Sequence, residues 1–206
     1  MSYPNFTALQ LKEKFGVAQS YQERIFGKLK PQSASDWLKL SLKQGVEFAL
    51  EQGSEKARSE FIIAPVFIEL RNLAEKKISI FSGIEFNVDR KLGFTGWCDF
   101  LVSRSSFQRA LEAPVVIAVE AKQQNFEKGI DQCIAEMIAA QIFNEKRGNN
   151  IDTIYGCVTT GDAWRFLLLK DKQALIDTTV FDVGEDLERI LGILHAMAMN
   201  KVESKR

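Results

Sequence analysis

The stretch Gly96–Lys122, GWCDFLVSRSSFQRALEAPVVIAVEAK, decides the fold. It reads as two β-rich runs joined by a polar connection over Ser103 to Glu112. The first run carries Asp99 and the second closes on Glu120-Ala121-Lys122. Side chains alternate across a strand, so Glu120 and Lys122 project from one face. If the two runs pair as neighbours, Asp99 comes up beside them. Two carboxylates and an ammonium then converge at the end of a strand whose preceding residues, Val115-Val116-Ile117-Ala118-Val119, are all apolar.

That convergence is costly unless something offsets it. Two negative charges about 4 Å apart repel by roughly 4 kcal/mol at an effective dielectric near 20, a large share of a domain's stability. A divalent cation removes the penalty. Mg²⁺ takes one or two carboxylates plus waters and phosphate oxygens, and an Asp/Glu pair supplies those donors. Lys122 on the same face can orient a water or neutralise charge developing on a phosphate. The plainer alternatives are an edge or turn aspartate for Asp99 and a salt-bridged strand end for Glu120 and Lys122.

An aspartate on one strand followed by Glu-x-Lys on the next, Asp99 and Glu120-Ala121-Lys122 here, resembles the PD-(D/E)XK nuclease superfamily, whose members cut phosphodiesters with Mg²⁺. Cys98 stands where the namesake proline would precede the aspartate. The resemblance spans roughly Ser54 to Trp164, and it implies a catalytic core over about 54–170. It also implies that Asp99 and Glu120 ligate Mg²⁺, with Mn²⁺ a possible substitute and the carbonyl of Ala121 a further ligand. Lys122 would position or help activate the attacking water. Glu60, on the helix ahead of the strands, would ligate a second metal or hold Lys122 through water. Some branches use a glutamine on the helix after Glu-x-Lys, and Gln132 and Gln141 both qualify. The implied partner is nucleic acid, DNA above all, and a homodimer is compatible with cutting two strands.

With 206 residues the chain fits a single domain spanning 1–206. Basic and acidic residues balance at 27 each, so the chain has no global electrostatic footprint for nucleic acid. Cys98, Cys133 and Cys157 form neither a metal knuckle nor a disulfide framework, which points to a reducing cytoplasm. No signal-peptide core and no run of membrane-spanning length is apparent, so no membrane partner is expected. His195 is the only histidine and sits beside an apolar stripe, so His-metal and Ser/His chemistry are set aside.

Residues 1–32 read as an arm with a short helix ended by Gly16, packing late or meeting a partner. Trp37, Leu38, Leu42, Val46 and Leu50 recur at helical spacing behind N-cap candidates in Ser33–Asp36, and Gly53 ends that helix. A second helix opens at Ser54. Its stripe is Ile62, Ile63, Val66, Phe67, Leu70, Leu73 and Ala74, Glu60 lies at the border, and Pro65 predicts a kink or bulge just after Glu60. A strand over 78–89 follows. Beyond the Glu-x-Lys strand, Asn125 is a candidate N-cap for a long helix in which Gln132 and Glu136 share a flank and Gln141 falls in the apolar stripe. Three strands over 151–159, 163–170 and 174–183, the first two joined by Gly161-Asp162, precede a last amphipathic helix. This order predicts an α/β fold, a mixed central β-sheet flanked by helices on both faces.

Three functions fit these residues: a Mg²⁺-dependent nuclease, a weak or inactive nucleic-acid-binding or assembly subunit of the same fold, and a phosphoester hydrolase acting on nucleotides or other small molecules.

Overall fold

The computed structural model describes residues 2–122 and 126–202. Its helices are α1 (Ala8–Phe15), α2 (Asp36–Gln52), α3 (Glu55–Arg58), α4 (Ala64–Leu73), α5 (Phe126–Glu145) and α6 (Leu187–Ala198). The strands are β1 (Ala18–Gln22), β2 (Ser79–Glu85), β3 (Trp97–Ser103), β4 (Val115–Ala121), β5 (Thr153–Thr159), β6 (Ala163–Lys170), β7 (Gln173–Asp177) and β8 (Phe181–Asp182). All eight strands join one sheet in the order β1-β7-β6-β5-β4-β3-β2, with β8 also on β6. The pairs β4/β5 and β1/β7 are parallel and the others antiparallel, so the sheet is mixed.

Every residue of β4 is buried, which is why its sequence is a continuous apolar run rather than an alternating one. One face packs against α2, α4 and α6 through Phe100, Val102, Val119 and Tyr155. The other face carries α5 and the N-terminal segment through Leu101, Ala118, Ile134 and Met137. The α/β architecture with helices on both faces is therefore the one the element order predicts. Among the described residues no helix is long and apolar enough to cross a membrane.

The N-terminal segment is packed into the domain. Tyr3 is fully buried, its hydroxyl donates to the Phe86 carbonyl at 2.6 Å, and β1 pairs in parallel with β7. Gly16 ends α1 in the left-handed conformation, as the sequence indicates. Helix α2 has its N-cap at Ser35 and its end at Gly53, but its buried face is Leu38, Leu42, Gly45 and Ala49, while Trp37 and Leu50 are exposed. The reason lies in α4, whose buried Glu69 accepts from both the N–H and the hydroxyl of Ser35 at 2.8 Å and so fixes the roll of α2. The expected strand over 78–89 is shorter, ending at Glu85, and the one over 174–183 is divided into β7 and β8. Asn125 lies outside the described residues.

Pro65 leaves its mark where expected. Between α3 and α4, Ser59–Ile63 forms a π-helical turn in which the Ala64 N–H reaches the Ser59 carbonyl. Pro65 has no N–H to return to the Phe61 carbonyl, so the turn widens and that carbonyl points out of the helix. It rests on Gly45 of α2, where an added Cβ would come within 2.5 Å of the Phe61 oxygen. Gly45→Ala is accordingly expected to destabilise the fold by about 1–2 kcal/mol, because backbone overlap outweighs the ~1 kcal/mol gain in helix propensity. Denaturant melts of the two proteins measure the difference.

Candidate functional site

The antiparallel register of β3 and β4 stops at Phe100–Val119. One step further the strands part, and the Ala121 N–H, instead of meeting a carbonyl of β3, donates to Asp99 Oδ2 at 2.7 Å. A side-chain carboxylate thus replaces the ladder at the end of β4, which places Asp99 against the Glu120-Ala121-Lys122 segment. Glu120 is buried, and its two oxygens accept from Lys122 Nζ and, at 2.7 Å, from Gln132 Nε2. Gln132 also reaches Glu136 Oε1 at 3.2 Å and receives Lys122 Nζ at 3.3 Å. Lys122 and Glu120 lie on one face, and the Lys122 N–H continues the parallel ladder to Thr159 at 2.8 Å.

Helix α5 must come close for Gln132 to reach into this group. Gly129, one turn ahead of Gln132, makes the approach possible: a Cβ there would stand 2.7 Å from Val158 Cγ1 and 3.0 Å from Lys122 Cγ. The aliphatic stem of Lys122 runs across this glycine. On the opposite side, α3 is tied to the β5–β6 turn by Arg58, which donates to the Thr160 carbonyl at 2.6 Å and pairs with Asp162 at 2.9 Å. Glu55, in the first turn of α3, is close enough that its charge raises the pKa of both Asp99 and Lys122.

The electrostatics follow from burial. Glu120 is pushed up to about 8 by its removal from water and then by the Asp99 charge, with Lys122 pulling the other way. Burial also raises Asp99, against the Ala121 N–H, and raises Glu136 strongly, with Glu120 adding to the shift. For Lys122, burial opposes the charged form, but Glu120 and Asp99 outweigh it and its pKa is raised. Three carboxyl groups therefore compete for one ammonium, and Glu136 Oε2 has no hydrogen-bond partner among the described residues.

Of the residues read from the sequence, Asp99, Glu120, Ala121, Lys122 and Gln132 come together. Gln141 does not: it lies nine residues further along α5, about 13 Å by helical rise, and is half-buried rather than in the stripe. Glu60 sits in the π-turn, exposed, 3.7 Å from Lys56. The acidic helix residue whose field reaches the site is Glu55 instead. Glu136, expected on a polar flank with Gln132, is wholly buried, because α5 is covered on almost every side over 129–140. Among the described residues no group of three or more His, Cys, Asp or Glu side chains forms a metal-binding cluster.

No family model matches this chain, and no curated protein matches it.

Because burial lifts the folded Glu120 and Glu136 above the ordinary carboxylate pKa, their contribution to stability is greatest below that pKa. It falls as pH rises through the range in which the folded groups ionise. In EDTA, Glu120→Gln is expected to gain melting temperature relative to the parent protein, little at pH 5 and more at pH 8. Thermal melts across this range test the sign.

Proposed function

We propose that the chain is a metal-dependent phosphodiesterase hydrolysing nucleic acid, with DNA the expected substrate. The observation that carries this reading is the Asp99 carboxylate held on the Ala121 N–H where β3 and β4 part, which gathers Asp99, Glu120 and Lys122 at one strand end.

The donor set fits a hard cation that keeps much of its shell as water and phosphate oxygen. Asp99 commits one oxygen to a backbone N–H, and an ionised carboxylate accepts about four hydrogen bonds or ligands in all. Asp99 and Glu120 would hold Mg²⁺ or Mn²⁺, with the Ala121 carbonyl beside them. Glu55 is the helix carboxylate suited to complete the shell, in place of Glu60. When bound, the cation polarises the phosphate and lowers the pKa of a coordinated water.

The remaining work belongs to the side chains. Lys122, kept charged by Glu120 and steered by Gln132 Oε1, presents an N–H to the attacking water or to a phosphate oxygen. Gln132 bridges Glu120 and Glu136 and keeps the Glu120 carboxylate turned towards the strand end. Burial, with Glu120 beside it, raises the pKa of Glu136 well above the ordinary carboxylate range, which favours its uncharged form.

Purified protein should cut supercoiled plasmid, linear duplex or single-stranded DNA with Mg²⁺ or Mn²⁺. Lys122→Ala and Asp99→Asn should each lose activity by about 100-fold or more with the fold retained. Mn²⁺ should also raise the melting temperature of the parent protein but not of Asp99→Asn. A folded parent protein that neither cuts nor binds metal would replace this reading with the nucleic-acid-binding subunit.

Glu55→Gln and Glu60→Gln separate the two helix carboxylates. The first is expected to lower cutting by roughly 10–100-fold and the second to leave it within about twofold, as measured by initial rates on one substrate.

A further inference from the structure

On the other side of the sheet, a cavity of about 500 Å³ opens between α6 and the segment that follows β1. Its size is that of sites for small organic ligands. Arg24, Lys28 and Lys30 line it from one wall, Lys201 and His195 from the other, and among the described residues no Asp or Glu lines it. In a chain whose charges balance at 27 each, this one-sided gathering is a local departure. Among the described residues none of the four Lys and Arg side chains forms an ion pair. Burial first, and then the neighbouring Lys201, lower the His195 pKa against a backbone hydrogen bond at Leu73.

The walls are fixed rather than draped. The segment is pinned at one end by the Phe26 N–H on buried Asp177 at 3.3 Å and at the other by the Gln32 N–H on the Glu188 carbonyl at 2.9 Å. Between them the Lys30 carbonyl is pressed onto α6 at Gly192, where a Cβ would stand 2.3 Å from that oxygen. The Lys201 N–H closes the end of α6 on the Ala196 carbonyl at 2.8 Å. Ile25, Leu29, Ala196 and Val202 make the floor apolar. A bare inorganic anion would leave that floor uncovered. A neutral ligand would leave the cations unpaired.

We propose that this cavity binds a small organic phosphate of nucleotide size, its phosphate between Arg24, Lys28, Lys30 and Lys201 and its ring system on the apolar floor. Arginine and lysine recognise phosphate by charge-assisted hydrogen bonds. The site is independent of the carboxylate cluster, because α6 packs on the sheet face that carries Val119 and Ala121, whereas Glu120 turns to α5.

Calorimetric titration in EDTA, which removes any cation-mediated binding at Asp99 and Glu120, tests the proposal with adenosine 5′-monophosphate, adenosine and inorganic phosphate as probes. The monophosphate is expected to bind at one site per chain, at least about tenfold tighter than either fragment. Lys28→Glu/Lys201→Glu should weaken it by at least about tenfold, while Lys12→Glu/Lys14→Glu, the same charge change on α1, should not. Lys28→Gln/Lys201→Gln replaces the reversal if the latter melts early. Absence of binding at millimolar monophosphate, equal affinity for inorganic phosphate, or an equal loss in the α1 variant would overturn the proposal.

Discussion

Three carboxyl groups, Asp99, Glu120 and Glu136, share a largely buried space with one ammonium, Lys122, and the rest of the architecture answers to that imbalance. Without structure around it, such a group would drift apart into water, since each desolvated charge costs several kcal/mol, of order 2–7 even for a neutral polar group left unpaired. It is held by elements that have no freedom to yield. Strand β4 is enclosed on both faces, and α5 is seated so closely that Gly129 leaves no space between Lys122 and β5. The electrostatic strain is therefore resisted by packing.

Topology explains why the strain collects where it does. Strands β4 and β5 are parallel, and α5 is the crossover between them. In an open α/β sheet such a pair leaves a crevice beyond its carboxyl ends, rimmed by the start of the crossover helix. Glu120, Lys122 and Gln132 occupy that rim. Antiparallel β3 runs the opposite way on the far side of β4, so it contributes a residue from its beginning, Asp99. Mixed pairing brings an early residue of one strand against late residues of another, an arrangement a purely parallel sheet would not make here.

Much of this was readable from residue order. The apolar run before Glu120, the spacing of Glu120 and Lys122, and the caps at Ser35, Gly53 and Ser54 are local signals, and each has its counterpart in the fold. What escaped depends on partners distant in the chain. The docking of Tyr3 and the pairing of β1 rest on Phe86 and β7, which nothing within residues 1–32 declares. Trp37 has the composition of a core residue but lies outside because Glu69, 34 residues beyond the N-cap Ser35 that it holds, sets the roll of the helix. Burial of Glu136 required knowing that the N-terminal segment covers α5. The sequence points to Glu60 alone as the helix carboxylate, because the bulge that Pro65 predicts does not by itself fix the phase of the residues ahead of it.

That last difference has a physical origin in the π-turn of Ser59–Ile63. A wide turn accommodates one residue more than the α-helix it interrupts, and each residue of an α-helix turns the chain by about 100°. Everything on the N-terminal side, Glu55 included, is thereby phased differently against the sheet than α4 alone would dictate. Chain length in this segment is consequently a more stringent quantity than chain identity. The exposed side chains of the bulge, unlike buried Ile62 and Ile63, can vary while Glu55 keeps its bearing, but loss of a single residue would rewind the turn and swing that carboxylate about a quarter-turn or more around the helix axis.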